Sequence, residues 1–135
     1  MHELYVCQAL IDQLEAIARE EKANRIETIY LGIGPLSGVE PRLLEQAFFI
    51  ARAGTVADDA ELIITSMPIR VSCHQCGHVT DALPARLVCG DCGHWHTQLI
   101  SGDEMQLERV ELVRQTREEK AEDETTSLSR QGQFG

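Results

Sequence analysis

Aromatic residues are scarce, at 4% of a 135-residue chain, and so is positive charge: 12 Lys and Arg stand against 22 Asp and Glu, for a formal net charge of −10. Too few aromatics and cations argue against a surface that stacks bases or tracks phosphates, so no nucleic-acid partner is expected. The negative field also disfavours anionic membranes and suits the handling of cations. Long apolar runs are missing too. A stretch such as Ala47-Phe48-Phe49-Ile50-Ala51 falls far short of the roughly 20 residues that span a bilayer. No basic segment leads an apolar run after Met1-His2-Glu3, so no secretory signal is read and a cytoplasmic location is expected. Thiols stay reduced there, and the five cysteines ask for a metal or thiol role before a disulfide one.

Apolar residues, at 43%, are enough for the core of one ordinary domain, or of a domain plus a small module. Residues 4–22 predict a helix, with Val6, Leu10, Leu14 and Ile17 on one face and Ile11 and Ala18 widening it. Residues 26–33 predict a strand with Ile29, Leu31 and Ile33 on one side. Gly34-Pro35-Leu36-Ser37-Gly38 then breaks the chain. A second helix is expected from Glu40-Pro41, with Leu43, Leu44, Ala47, Phe48 and Ala51 as its apolar face and Gly54 as its stop. Alternation of Ile63, Thr65, Met67, Ile69 and Val71 predicts a second strand, placed at an edge or bulged by Pro68. A third strand is expected from about residue 105. Met105 and Leu107 fit one phase and Val110 and Leu112 the other, so a bulge should lie between them. After Arg114 the chain turns charged and then polar, and residues 114–135 read as a mostly disordered tail.

The expected fold is therefore α+β: two helices packed on a small three-stranded mixed sheet, with an inserted four-cysteine zinc-ribbon module. The division is residues 1–71 and 98–113 for the α+β domain and 72–97 for the module.

The module carries the strongest motif. Cys73-His74-Gln75-Cys76 and Cys89-Gly90-Asp91-Cys92 are two C-x-x-C pairs with twelve residues between them. Zn²⁺ takes four such sulfurs in a closed tetrahedron, which folds a module rather than catalysing. Gly77 and Gly93 follow the second cysteine of each pair, where a tight turn favours positive φ. A redox motif would need a βαβ setting and one such pair. His78 and His94 each sit two residues beyond a pair. They are read either as simple parts of repeated knuckles or as alternate zinc or nickel ligands that protonation or nickel brings in. His74 and His96 read as surface residues. Arg86 is the only basic residue from Val71 to Gln98, and Trp95 the single aromatic, which again excludes a nucleic-acid role for this ribbon.

At the other end, His2 has its own chemistry. An imidazole with adjacent deprotonated main-chain nitrogens closes small chelate rings around a square-planar ion, a geometry suited to Ni²⁺ or Cu²⁺. The main-chain nitrogens of Met1 and Glu3 are candidate further donors.

Met1-His2-Glu3-Leu4, the run Gly34-Pro35-Leu36-Ser37-Gly38-Val39-Glu40-Pro41, two C-x-x-C pairs after a strand, and Ser101-Gly102-Asp103-Glu104-Met105 occur in that order. This pattern resembles the HypA/HybF family of hydrogenase and urease nickel-incorporation proteins, over residues 1 to about 113. The resemblance implies structural zinc on Cys73, Cys76, Cys89 and Cys92, and transported nickel on His2 with main-chain nitrogens of the first residues. It implies work with a nickel-binding P-loop GTPase, delivery to the hydrogenase large subunit, and in some members service to urease maturation proteins. The chain has no Walker A loop of its own. It departs from the family pattern at Tyr5, and Cys7, one helical turn from Glu3, reads as a small core residue. No catalytic constellation is visible. The reading is a nickel metallochaperone rather than an enzyme; the alternative is a zinc-ribbon adaptor that binds proteins without moving nickel.

Overall fold

The computed structural model describes residues 2–115 and 123–134. Helix α1 (His2–Glu21) leads into strand β1 (Arg25–Ile33), helix α2 (Pro41–Ala51) and strand β2 (Glu61–Ser66). Strands β3 (Arg70–Cys73), β4 (Val79–Asp81) and β5 (Thr97–Ser101) follow, and then β6 (Met105–Gln115) and β7 (Asp123–Phe134).

The stripe expected on α1 is buried in full: Val6, Leu10, Ile11, Leu14, Ile17 and Ala18 are each at most 5% exposed. It closes one core with Ile26, Ile29, Leu31 and Ile33 of β1 and Met105, Leu107, Val110 and Leu112 of β6. At about 1.5–3 kcal/mol for each large aliphatic side chain removed from water, this burial is the main term holding the helices to the sheet. Helix α1 ends where Lys22 adopts φ 55°, and the Arg114 guanidinium donates to the Glu21 carbonyl at 2.7 Å. Helix α2 starts as expected. Glu40 is its N-cap and accepts from the Arg42 amide, with Pro41 in the first turn. Its buried face is narrower than expected: Leu44 and Phe48 enter the core, whereas Leu43 stays 49% exposed.

The mixed sheet is present. β1 runs parallel to β2 and antiparallel to β6. The phase change in β6 is a bulge: Leu107 pairs with Leu31 and Arg109 with Tyr30, leaving Glu108 as the extra residue. That bulge lets Met105, Leu107, Val110 and Leu112 all face the core. Two sequence expectations need correction. Residues 114–135 were expected to be a disordered tail, but Asp123–Phe134 forms β7 and pairs antiparallel with β6, giving the order β2-β1-β6-β7. Backbone pairing alone suffices for an edge strand, and this one is polar apart from half-buried Leu128 and its terminal Phe134. Residues 116–122 and 135 of that segment lie outside the described residues.

The second correction concerns the strand expected through residues 63–71. It divides at Pro68, which offers no amide to a ladder. β2 stays in the main sheet, and β3 joins β4 and β5 in a separate three-stranded sheet, order β4-β3-β5. The module's sheet thus reaches a few residues beyond 72–97 on either side.

The junction between the two sheets is tight. Gly34 and Leu36 donate to the carbonyls of Glu104 and Gly102 at 2.8 and 2.7 Å, and a Cβ on Gly34 would lie 2.2 Å from the Gly102 oxygen. Gly102 has φ 114° and packs against Ile69. The two chain crossings into the module are therefore fastened to the loop after β1.

Candidate metal centre

Each C-x-x-C pair sits on a turn of the same design. The Cys73 amide donates to the His78 carbonyl (2.9 Å) and its carbonyl accepts from Gly77 (3.0 Å). In the second turn Cys89 donates to His94 (3.0 Å) and accepts from Gly93 (2.9 Å). Gly77 and Gly93 have φ 79° and 74°, the left-handed values that glycine adopts without strain. Amides inside each turn then point at the first sulfur. Cys73 Sγ accepts from Gln75 and Cys76 at 3.3 and 3.4 Å, and Cys89 Sγ from Asp91 and Cys92 at 3.4 and 3.5 Å.

The two turns face each other. Cys73 Sγ lies 3.6 Å from Cys92 Sγ, Cys76 Sγ lies 3.6 Å from Cys89 Sγ, and all four ligand atoms fall within 4.8 Å of one another. Sulfurs bound to Zn²⁺ at about 2.3 Å in a tetrahedron stand about 3.8 Å apart, so the donor set fits zinc. The amide of Cys76 and then that of Gln75 hold the Cys73 thiol below its usual range. The amides of Cys92 and Asp91 lower Cys89 to about 6, against the burial that opposes them. For Cys76 the His78 amide favours the thiolate, but burial and the neighbouring sulfurs outweigh it and push the thiol up to about 12. Cys92 is raised in the same way, against the His94 amide. Two sulfurs are thus disposed to carry charge and two to carry protons that an incoming cation displaces.

His78 and His94 stand beside this cluster rather than in it. His78 Nδ1 lies 2.8 Å from Asp91 Oδ2 and so links one knuckle to the other. His94 Nδ1 accepts the His96 amide at 3.0 Å. Among the described residues, the metal-ligand cluster comprises the four cysteines alone.

At the opposite end, α1 opens at His2. Met1 and the His2 side chain lie outside the described residues. Glu3 is described: its carboxylate accepts the Glu40 amide at 3.2 Å. Sequence reasoning missed Glu40 as a partner of the terminus; the one available signal was its place before Pro41 at a helix start. Cys7 is fully buried and its Sγ lies 3.5 Å from the Leu44 carbonyl. Burial, and then the charge of Glu3, push its thiol up to about 11. It is a packing residue between the helices.

The family model described as "Hydrogenase/urease nickel incorporation, metallochaperone, hypA" matches residues 1–112. The chain belongs to the HypA family. It is 41% identical over 112 residues to the hydrogenase maturation factor HypA of Aquifex aeolicus, covering 83% of this chain and 97% of that one. It is 42% identical over 113 residues to HypA of Nitrosospira multiformis, covering 84% and 98%. The solution structure of the Ni metallochaperone HypA from Helicobacter pylori superposes with a TM-score of 0.63 at 30% identity, covering 82% of this chain and 96% of that one. The HypA match ends at residue 112, so β7 lies outside the part shared with the family model. HypA proteins are maturation factors and metallochaperones, and the four-cysteine cluster gives this one a metal-binding centre.

Proposed function

We propose that this chain binds Ni²⁺ at its N-terminal Met1-His2-Glu3 and delivers it to the precursor of a nickel–iron hydrogenase, with a structural Zn²⁺ held by Cys73, Cys76, Cys89 and Cys92. The observation that carries the reading is the pairing of HypA family membership with a His2-Glu3 start tied into the fold through the Glu3–Glu40 hydrogen bond. His2 supplies the imidazole, and main-chain nitrogens of the first residues supply the other donors. The first amides of an α-helix have no acceptor within the helix, so recruiting them to a cation breaks no helical bond. A terminal site of few side-chain ligands releases metal more readily than a buried cage, which suits a carrier.

Zinc, once bound, supplies cross-linking: it joins two knuckles that have little apolar core of their own, and so fixes the module's shape for docking. The partners that complete the pathway are a nickel-binding P-loop GTPase and the hydrogenase large subunit, with urease maturation proteins as a second client system. The setting is the cytoplasm, where the thiols stay reduced. Among the described residues, no helix is long and apolar enough to cross a membrane.

The test is calorimetric titration of Ni²⁺ into zinc-loaded protein with a native terminus, beside His2→Ala. Loss of the high-affinity nickel step in His2→Ala, with zinc kept at one per chain, supports the carrier. Identical nickel binding by the two proteins overturns it and favours a protein-binding adaptor built on the ribbon.

A further inference from the structure

Four histidines lie in the module, and the structure divides them into two kinds. His78 and His94 have ring nitrogens committed, to Asp91 and to the His96 amide. His74 and His96 have none: among the described residues, neither ring makes a hydrogen bond or an ion pair, and the ring contacts they make are with each other, His94 and Trp95. They also oppose each other. The β3–β5 ladder pairs Cys73 with Thr97, and one step further the His74 amide donates to the His96 carbonyl at 3.0 Å. Their ring centroids lie 4.3 Å apart, tilted by 31°. Both are exposed, and the Trp95 indole stacks 5.2 Å from the His96 ring.

We propose that His74 and His96 form a second, solvent-open metal site on the face of the zinc module, taking a borderline divalent cation of the Ni²⁺ or Cu²⁺ kind. Imidazole is a preferred donor for such ions. Two nitrogens bound at about 2.0–2.1 Å to one ion stand about 3 Å apart, a span that rings at this separation close by rotating about their own bonds. The backbone pairing sets the two side chains opposite each other before any cation arrives, so little ordering is left to binding. Water fills the remaining positions, and the net charge of −10 raises the local concentration of cations. The site is separate from both the four sulfurs and the N-terminus, and stands whether or not the terminus carries nickel.

Trp95, the only tryptophan, makes the test direct, since a bound paramagnetic ion beside it quenches its emission. NiCl₂ is titrated into full-length, zinc-loaded His2→Ala protein while Trp95 emission is followed. Saturable quenching with one Ni²⁺ per chain is expected, with the midpoint raised at least about tenfold, or the quenching lost, when His96→Gln or His74→Gln is added. Proton NMR of the His2→Ala protein should show the ring signals of His74 and His96 broadening first, which decides the matter even where His74→Gln disturbs the neighbouring Cys73. An unchanged quenching curve in His96→Gln, or no saturable quenching in His2→Ala, overturns the proposal. Failure of the terminal-site reading looks different: wild type and His2→Ala then bind equal nickel, and only the His96 variant differs.

Discussion

The Glu3 carboxylate accepts the main-chain N–H of Glu40 at 3.2 Å, while Glu40 Oε1 accepts the amide of Arg42 at 3.1 Å. One pair of acidic residues thus joins the starts of both helices and holds the N-terminal turn beside the loop that leads from β1 to α2. The bond is exposed, so its net worth to stability is under about 1 kcal/mol. Its worth to the terminus is larger, because it restricts the first turn of α1. Glu3→Ala should therefore leave the denaturant midpoint nearly unchanged while weakening nickel binding about tenfold, equivalent to about 1.4 kcal/mol. Glu3→Gln keeps an acceptor oxygen and should lose less. Calorimetry and urea unfolding of the three proteins check this.

Much of this arrangement is legible in the residues, and what is not has a physical reason. The period of Val6, Leu10, Leu14 and Ile17 marks the buried face of α1 because burial dictates that spacing. The change of phase between Leu107 and Val110 marks the bulge for the same reason. The C-x-x-C pairs mark the metal cluster because four sulfurs on two turns have few other uses. Strand β7 leaves no such trace: it is placed by backbone pairing with β6, and a polar edge strand resembles a solvated tail. Ile69 and Val71 alternate in phase with Ile63, and only Pro68 signals that they belong to another sheet. The Glu3–Glu40 contact is invisible because it joins residues 37 apart in sequence through a backbone amide.

Gly34 and Gly102 form a contact that only glycine allows. A Cβ on Gly34 would meet backbone, 2.2 Å from the Gly102 oxygen and 2.4 Å from its carbonyl carbon, so no flexible side chain can yield. Gly34→Ala should cost about 1–3 kcal/mol and loosen the junction between sheets. Hydrogen exchange is expected to rise at Gly34 and Leu36, whose amides bond across that junction, while zinc stays at one per chain.

Strand β7 covers the outer edge of β6 along residues 105–115. The family match ends at residue 112, so neither zinc nor nickel binding should need it. Deleting residues 116–135 exposes the β6 edge, whose unpaired amides and carbonyls invite another strand. The truncated protein should keep both metals and show concentration-dependent self-association by sedimentation, with a lowered melting temperature.

Zinc affinity should depend steeply on pH, with a sign set by the sulfurs. Near pH 7, Cys89, lowered to about 6, is mostly thiolate, and Cys73 is also lowered. Cys76, raised to about 12, and Cys92, also raised, hold protons that zinc must displace. Binding then releases at least about two protons per ion, those of Cys76 and Cys92, and affinity rises at least about a hundredfold for each pH unit between 7 and 8. Below about pH 6 Cys89 takes up a proton too, and the dependence steepens. Competition with a chromophoric chelator at several pH values measures the slope, and calorimetry in buffers of different ionisation enthalpy counts the protons. Stripping the zinc should unlock only the module. Hydrogen exchange at β3, β4 and β5 should rise while the amides of β1 and β6 stay protected, because the core beneath those two strands is shared with α1 and α2 and owes nothing to the four sulfurs. A loss of protection in β1 and β6 together with the module would show instead that the Gly34–Gly102 junction makes the two sheets one cooperative unit.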